Sequence, residues 1–263
     1  RSPEQAVQTN INGVQNVIAA ADLNNVEVVV FTSSDKAVNP TNVMGTTKLM
    51  GERLMTAANS SKRVKGPIFT STRFGNVLGS SGSVVPIFRN QILNGGPVTL
   101  TDKNMTRFVM SVEEAVELVL NSVLEAKGGE VFVTKMPVMK IEDLAIAMIE
   151  ELCTEEMEIT EIGSKPGEKL YEELMSDEET RRTMELDKFF SVLPAFRGVY
   201  SNIDYNYSVI VSELVEDPYI SEQQTPLTID EVKFFLNNNG LLLDSSNSAK
   251  DVRYCQGDKE EES

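Results

Sequence analysis

The chain has no histidine and no tryptophan, and only two cysteines among its 263 residues. Without histidine there is no Ser-His-Asp triad, and Cys153 and Cys255 cannot by themselves complete a Cys/His zinc set. So few cysteines fit a reducing, cytosolic setting. Basic residues are scarce as well: 24 Lys and Arg stand against 40 Asp and Glu, a net charge of −16. That balance repels phosphate-rich surfaces and argues against nucleic acid or an anionic membrane as partner. It leaves room for one anionic ligand, which a local Lys/Arg cluster can hold. No apolar run approaches the roughly 20 residues that span a bilayer, and no signal peptide is visible. An initiator methionine is also lacking. Arg1-Ser2-Pro3 leads at once into helical pattern, so the sequence reads as missing its beginning.

What is present is an ordinary globular composition, 41% apolar and 24% charged, long enough for one large or two unequal domains. The most informative stretch is Val28-Val29-Val30-Phe31-Thr32-Ser33-Ser34-Asp35-Lys36-Ala37. Its apolar, β-branched start reads as a strand buried on both faces. The strand ends in small hydroxyls, then an acid and a base. In an open parallel sheet, ligands bind just outside the carboxyl ends of strands, which is where Ser34, Asp35 and Lys36 would lie. Lys48, on the helix expected next, can reach the same place. By residue type alone, an Asp-Lys pair after a strand is more often a simple turn.

Spacing predicts helices over 3–23, 43–58, 84–93, from Ser111-Val112-Glu113-Glu114 onward, 141–152 and 228–236. Strands are predicted over 26–31, 68–73, 98–100, 130–134 and 158–162. Residues 178–187 read as a charged segment, 199–220 as loop, and 244–263 as a disordered tail. Strands alternate with helices through about residue 135, which argues for parallel α/β architecture.

Thr32 to Lys48, with Ser34-Asp35-Lys36, Met44 and Lys48, closely resembles the active-site segment of the polysaccharide-biosynthesis nucleotide-sugar 4,6-dehydratases, within the extended short-chain dehydrogenase/reductases. Three further blocks agree in order: Arg73 to Pro86, Met105-Thr106-Arg107-Phe108, and Lys165 to Leu174. The resemblance covers about residues 5–180. It implies a Rossmann-like parallel sheet flanked by helices, N-terminal strands missing, and a smaller mixed α/β substrate-binding region. Residues 1–135 would be the later part of an NAD(P)-binding domain with interleaved substrate-binding segments, and 136–243 a substrate-binding and C-terminal region. Members of the family begin with a strand and Gly-rich turn that hold the dinucleotide pyrophosphate, and Gly75 to Gly82 is no substitute for it.

The resemblance further implies a reaction. A UDP-hexose, UDP-N-acetylglucosamine by first choice, is oxidised at C4, loses water across C5–C6, and is reduced at C6, with tightly bound NAD(P) as cofactor. Asp35 would be the acid for the leaving C6 hydroxyl and Lys36 the base at C5. Ser34 would bind a sugar hydroxyl, and Lys48 the nicotinamide ribose. Ser33, Phe74 and Asn76 would also face the cofactor. Asn76, Ser83, Arg107 and Glu168 would contact the UDP moiety, Arg107 pairing with the diphosphate and Glu168 with a ribose hydroxyl. Asn10 and Asn12 face the same region in the family. Met44 departs from the usual tyrosine of short-chain dehydrogenases, and a thioether carries no proton; a subgroup of the dehydratases shares it. A homo-oligomer, no metal and a cytoplasmic location complete the implied picture. Two readings compete with it: a UDP-sugar C4- or C5-epimerase of the same superfamily, and a non-catalytic fragment without its cofactor-binding half.

Overall fold

The structure, a computed structural model, describes residues 2–62, 66–80, 83–164, 167–196 and 203–243. The expected disordered tail, 244–263, lies outside the described residues, as do Ser81, Gly82, Lys165 and Pro166 of the resembling blocks.

The opening helical pattern is realised in three pieces: α1 (Pro3–Val7), a π-helical turn (Gln8–Asn12) and α2 (Gly13–Leu23). Ser2 caps the start, its hydroxyl accepting from the Gln5 N–H at 3.5 Å. There follow β1 (Val28–Ser34), a 3-10 turn (Asp35–Ala37), α3 (Val43–Ser61), β2 (Ile68–Phe74) and β3 (Asn76–Val77). Next come α4 (Val84–Leu93), β4 (Val98–Leu100), β5 (Thr106–Met110), α5 (Val112–Glu125) and β6 (Val131–Thr134). Then β7 (Val138–Lys140) leads to α6 (Ile141–Leu152), β8 (Ile159–Glu161), β9 (Glu173–Met175) and the short α7 (Asp177–Thr180). The chain continues through β10 (Thr183–Leu186), β11 (Phe189–Val192), β12 (Ile210–Ser212), β13 (Tyr219–Ile220) and α8 (Ile229–Asn238). No helix among the described residues is long and apolar enough to cross a membrane.

Two compact units result, and they interleave along the chain. One comprises Arg1–Gly75, Glu113–Lys135 and Glu172–Ile220; the other comprises Asn76–Val112, Met136–Tyr171 and Ser221–Ser263.

The first unit is built on a six-stranded sheet in the order β1-β2-β6-β11-β10-β12. β1, β2 and β6 are parallel; β11, β10 and β12 extend the sheet antiparallel. Ala21, Met55 and Phe69 form a core between sheet and helices, with Ile18, Val29 and Phe31 around it. A side chain at Gly51 would fall 2.4 Å from the Phe31 ring, so the glycine lets α3 lie close against β1.

One expectation needs correcting here. β1 is not buried on both faces: Val28 to Phe31 are half-buried and Thr32 is exposed, because β1 is an edge strand with a neighbour on one side only among the described residues. The charged segment 178–187 holds most of α7 and all of β10, and β10 turns tightly into β11. Short strands that mix Glu185 with Met184 and Leu186 carry too weak an alternation to be read alone.

Arg73, from the middle of this sheet, is 1% exposed. Its Nε and one terminal nitrogen donate to the Glu52 carboxylate at 2.9 and 2.8 Å. The terminal nitrogens also donate to Glu179 at 2.7 and 2.8 Å and to the Leu174 carbonyl at 2.9 Å. All five guanidinium N–H groups are thereby satisfied. Arg182 stands beside Glu179 at 3.5 Å.

In the second unit, β3, β5 and β7 form one small sheet and β4 pairs with β8. The core lies among α4, α6 and α8, with Val85, Phe88, Ile92, Leu144, Met148, Val232 and Leu236 within it. A capping box, Thr228 with Glu231, starts α8.

Burial pushes the Glu179 carboxyl up, but the charge and hydrogen bonds of Arg73, the Ser176 N–H and Arg182 outweigh it and hold the group at about 2. A carboxylate so depressed contributes stability that is complete above its unfolded value, 4.5, and is lost as pH falls toward 2. Urea unfolding between about pH 5 and pH 2.5 should show a loss approaching about 3 kcal/mol from this group. Glu179→Gln should flatten that part of the profile; an unaltered slope would contradict the assignment.

Candidate active site

The carboxyl end of β1 carries the strongest chemistry in the first unit. Ser34 is extended, and its hydroxyl accepts from the Lys36 N–H at 3.2 Å, which starts the 3-10 turn. That leaves the Ser34 hydrogen available to donate elsewhere. Asp35 is buried and Lys36 is not: their side chains are 5% and 46% exposed. The Lys36 ammonium donates to both Asp35 oxygens, at 3.1 and 3.0 Å. One group is therefore fixed in the protein, and the other can swing toward a ligand while starting from its partner.

The turn is backed by α3. Asn42 caps this helix by accepting from the Gly45 N–H at 3.0 Å. A Cβ at Gly45 would lie 2.0 Å from the Lys36 carbonyl oxygen, so only glycine permits the first turn of α3 to rest on the acid-base turn. One helical turn later, Lys48 donates to the Thr32 carbonyl at 2.8 Å and sits 5.1 Å over the Phe31 ring. Burial lowers its pKa below the usual lysine value, partly countered by the nearby Glu52 carboxylate. The carbonyl takes one of the three ammonium donors, leaving others for a ribose.

Met44 is exposed at 48%. The Asn10 amide donates to its sulfur at 3.6 Å and to the Thr47 hydroxyl at 3.0 Å. Asn10 lies in the π-helical turn, a feature frequent at functional sites, and the same turn contains Asn12. Phe74 is the register partner of Ser34 across β1 and β2, so it too stands at the strand ends. Ser33 is 3% exposed, its hydroxyl has no partner among the described residues, and it neighbours Arg73 in register. It points into the protein with Phe31 and Arg73, away from where Ser34 points.

The structure thus brings Ser34, Asp35, Lys36, Met44, Lys48 and Phe74 into one unit. Asn76, Ser83, Arg107 and Glu168 belong to the second. There the Asn76 amide donates to the Phe108 carbonyl at 3.1 Å. Ser83 precedes α4, its hydroxyl without a partner among the described residues. Arg107 lies on β5. Its terminal nitrogens donate to the carbonyls of Thr106, Lys169 and Leu170 and to the Met105 sulfur, at 2.8 to 3.1 Å. It braces the loop at 167–170 against β5. Glu168, on that loop, accepts from Thr101 at 3.4 Å. Glu52, Arg73, Glu179, Asn39 and Glu173 were not among the candidates, although Asn39, Arg73 and Glu173 stand in the resembling blocks.

The model of a family described as polysaccharide biosynthesis protein matches residues 1–194. The chain belongs to this family. It is 51% identical over 199 residues to an uncharacterized membrane protein of Methanocaldococcus jannaschii, covering 73% of this chain and 60% of that one. It is 38% identical over 234 residues to an inverting UDP-N-acetylglucosamine 4,6-dehydratase of Campylobacter jejuni, covering 88% and 69%. A UDP-glucose 4-epimerase of Rickettsia rickettsii is also 38% identical, over 240 residues, with 89% and 68% covered. Among solved structures, Pen from Bacillus thuringiensis superposes with a TM-score of 0.82 at 43% identity, covering 92% of this chain and 70% of that one. A UDP-glucose 4-epimerase of Thermus thermophilus in complex with NAD shares the Rossmann-like fold, with a TM-score of 0.53 at 21% identity and 62% and 60% covered. The chain spans about 60% of the length of its archaeal relative in the family.

Gly45→Ala should destabilise the first unit by about 1–3 kcal/mol, although alanine favours helix over glycine by up to about 1 kcal/mol. Urea unfolding measures it, and a neutral or stabilising effect would show that α3 does not rest on the turn.

Proposed function

We propose that the chain carries the catalytic part of a nucleotide-sugar 4,6-dehydratase acting on a UDP-hexose, UDP-N-acetylglucosamine by first choice, in polysaccharide biosynthesis. The observation that carries this reading is the Asp35–Lys36 pair at the carboxyl end of β1, an acid and an amine 3.0 Å apart on one rigid turn. The name of the Campylobacter relative supports it.

Elimination across C5–C6 needs a proton removed from C5 and one delivered to the departing C6 hydroxyl. Transfer of one ammonium proton across that contact to Asp35 leaves Lys36, the exposed member, as a neutral amine and the base at C5. Asp35, held in the turn, delivers the proton that lets C6 oxygen leave as water. Ser34 donates its hydrogen to a sugar hydroxyl and fixes the ring against the pair. Lys48 and Phe74 are the residues present that suit the nicotinamide end of NAD(P): the Lys48 amine has donors to spare, and both stand at the strand ends. When bound, that cofactor supplies hydride uptake from C4 and its return to C6. Met44 carries no exchangeable proton, so the C4 hydroxyl proton leaves through another group.

The first unit is proposed as the reaction- and cofactor-bearing part, and the second as the part that recognises the nucleotide. Asn76, Ser83 and Glu168 are its proposed UDP contacts, and Arg107 acts by holding the Glu168 loop. The Rickettsia relative's name favours a second reading, C4 epimerisation, which has no use for an elimination acid and base.

Incubation with UDP-N-acetylglucosamine and NAD(P) should yield a product lighter by one water in mass spectrometry. Asp35→Asn and Lys36→Ala should each reduce its rate by about 10²–10⁴-fold. Retained water loss in both variants would remove the assignment, and unchanged mass with inverted C4 would support the epimerase.

A further inference from the structure

The acid-base turn is closed on its inner side by Ser34 and α3, but it also has an outer support that the reaction does not call for. Two residues beyond the turn, Asn39 has a left-handed backbone, φ 43°, a conformation that asparagine tolerates better than other non-glycine residues. From this position its amide donates to a carboxylate oxygen of Glu173. Glu173 is buried, 8% exposed, and opens β9, a strand far along the chain. The next residue of β9, Leu174, gives its carbonyl to Arg73 at 2.9 Å. β9 also pairs with β13, Met175 facing Tyr219. Between Asp35 and Asn39 the chain has little slack: Ala37 and Val38 are 1% and 3% exposed, and the Val38 N–H closes the turn on the Asp35 carbonyl at 3.0 Å.

A two-residue lever therefore runs from the reacting pair to a strand that is itself pinned by the buried guanidinium. A carboxylate buried with an amide donor costs desolvation that a plain packing contact would not, so a leucine or alanine would suit the strand better if packing were its only task. We infer that Glu173 is a positioning residue for the dehydration proposed above: through Asn39 it holds the Asp35–Ala37 turn in the geometry that presents acid and base together. It touches no reacting atom. Its effect falls on the rate of the chemical step and leaves substrate affinity alone, because the misplacement it prevents lies at the acid and base and not in the sugar's binding contacts.

The test compares Glu173→Ala with Glu173→Gln, which keeps an oxygen to accept from Asn39, and adds Asn39→Gly, which keeps the left-handed backbone and removes the donor. Amide hydrogen exchange by NMR on the whole chain should show the Lys36 and Val38 amides exchanging at least about tenfold faster in Glu173→Ala and Asn39→Gly. β6 and α6 should be unchanged, and Glu173→Gln should behave as the parent. With UDP-N-acetylglucosamine, kcat should fall about tenfold at constant KM in the first two variants and recover in the third. Unaltered exchange at Lys36 and Val38, or equal loss of protection throughout the first unit, would overturn the inference. A parent chain without dehydratase activity would sink the reaction assignment instead, and the exchange comparison would still decide whether Glu173 holds the turn.

Discussion

A guanidinium with no water around it holds the first unit in register. Arg73 projects from β2 toward α3, meets Glu52 there, and reaches Glu179 and the Leu174 carbonyl on a segment a hundred residues later in the chain. Buried ion pairs add little net stability compared with apolar packing, yet removing one partner costs about 3–5 kcal/mol, since a charge is then left buried alone. The network thus acts as a constraint on arrangement. It permits one placement of α3 and one of β9 relative to the sheet. A lysine could not substitute, because a single ammonium cannot fork to two carboxylates and a carbonyl in fixed directions.

That constraint is what gives the residues at the end of β1 a chemical meaning. α3 brings Gly45 against the Lys36 carbonyl and Lys48 against the Thr32 carbonyl. The turn then holds a buried carboxylate and an exposed ammonium in contact. Neighbours in sequence become unlike in environment, which suits the acid and base roles proposed for them. Glu52 shows how closely the scaffold and the site are joined: it is the partner of Arg73, and its charge also raises the pKa of Lys48 against the lowering effect of burial.

Much of this was legible from residues alone. Helices such as α4 and α6 have clean apolar spacing and firm breakers, Gly95-Gly96-Pro97 after the former, and their limits in the structure, Val84–Leu93 and Ile141–Leu152, coincide with those read from pattern. The turn at Asp35–Ala37 stood out as the candidate site because a strand end followed by Ser-Asp-Lys resembles a known active-site segment. The role of Arg73 was not legible. An arginine that follows Thr70-Ser71-Thr72 in a strand carries no local mark of burial, and its partners stand 21 and 106 positions away. Likewise β1 looked doubly buried because Val28 to Phe31 are apolar; what a strand lies beside is a property of the sheet, not of the strand.

The most direct test of the central claim, that Asp35 and Lys36 perform an elimination, is conversion of UDP-N-acetylglucosamine in deuterated water followed by mass spectrometry and NMR of the product. A base that removes the C5 proton and exchanges it with solvent before C5 is reprotonated must leave one deuterium there. The account predicts a product that has lost one water and carries one deuterium at C5. A product of unchanged mass, with no label in the ring, would contradict it.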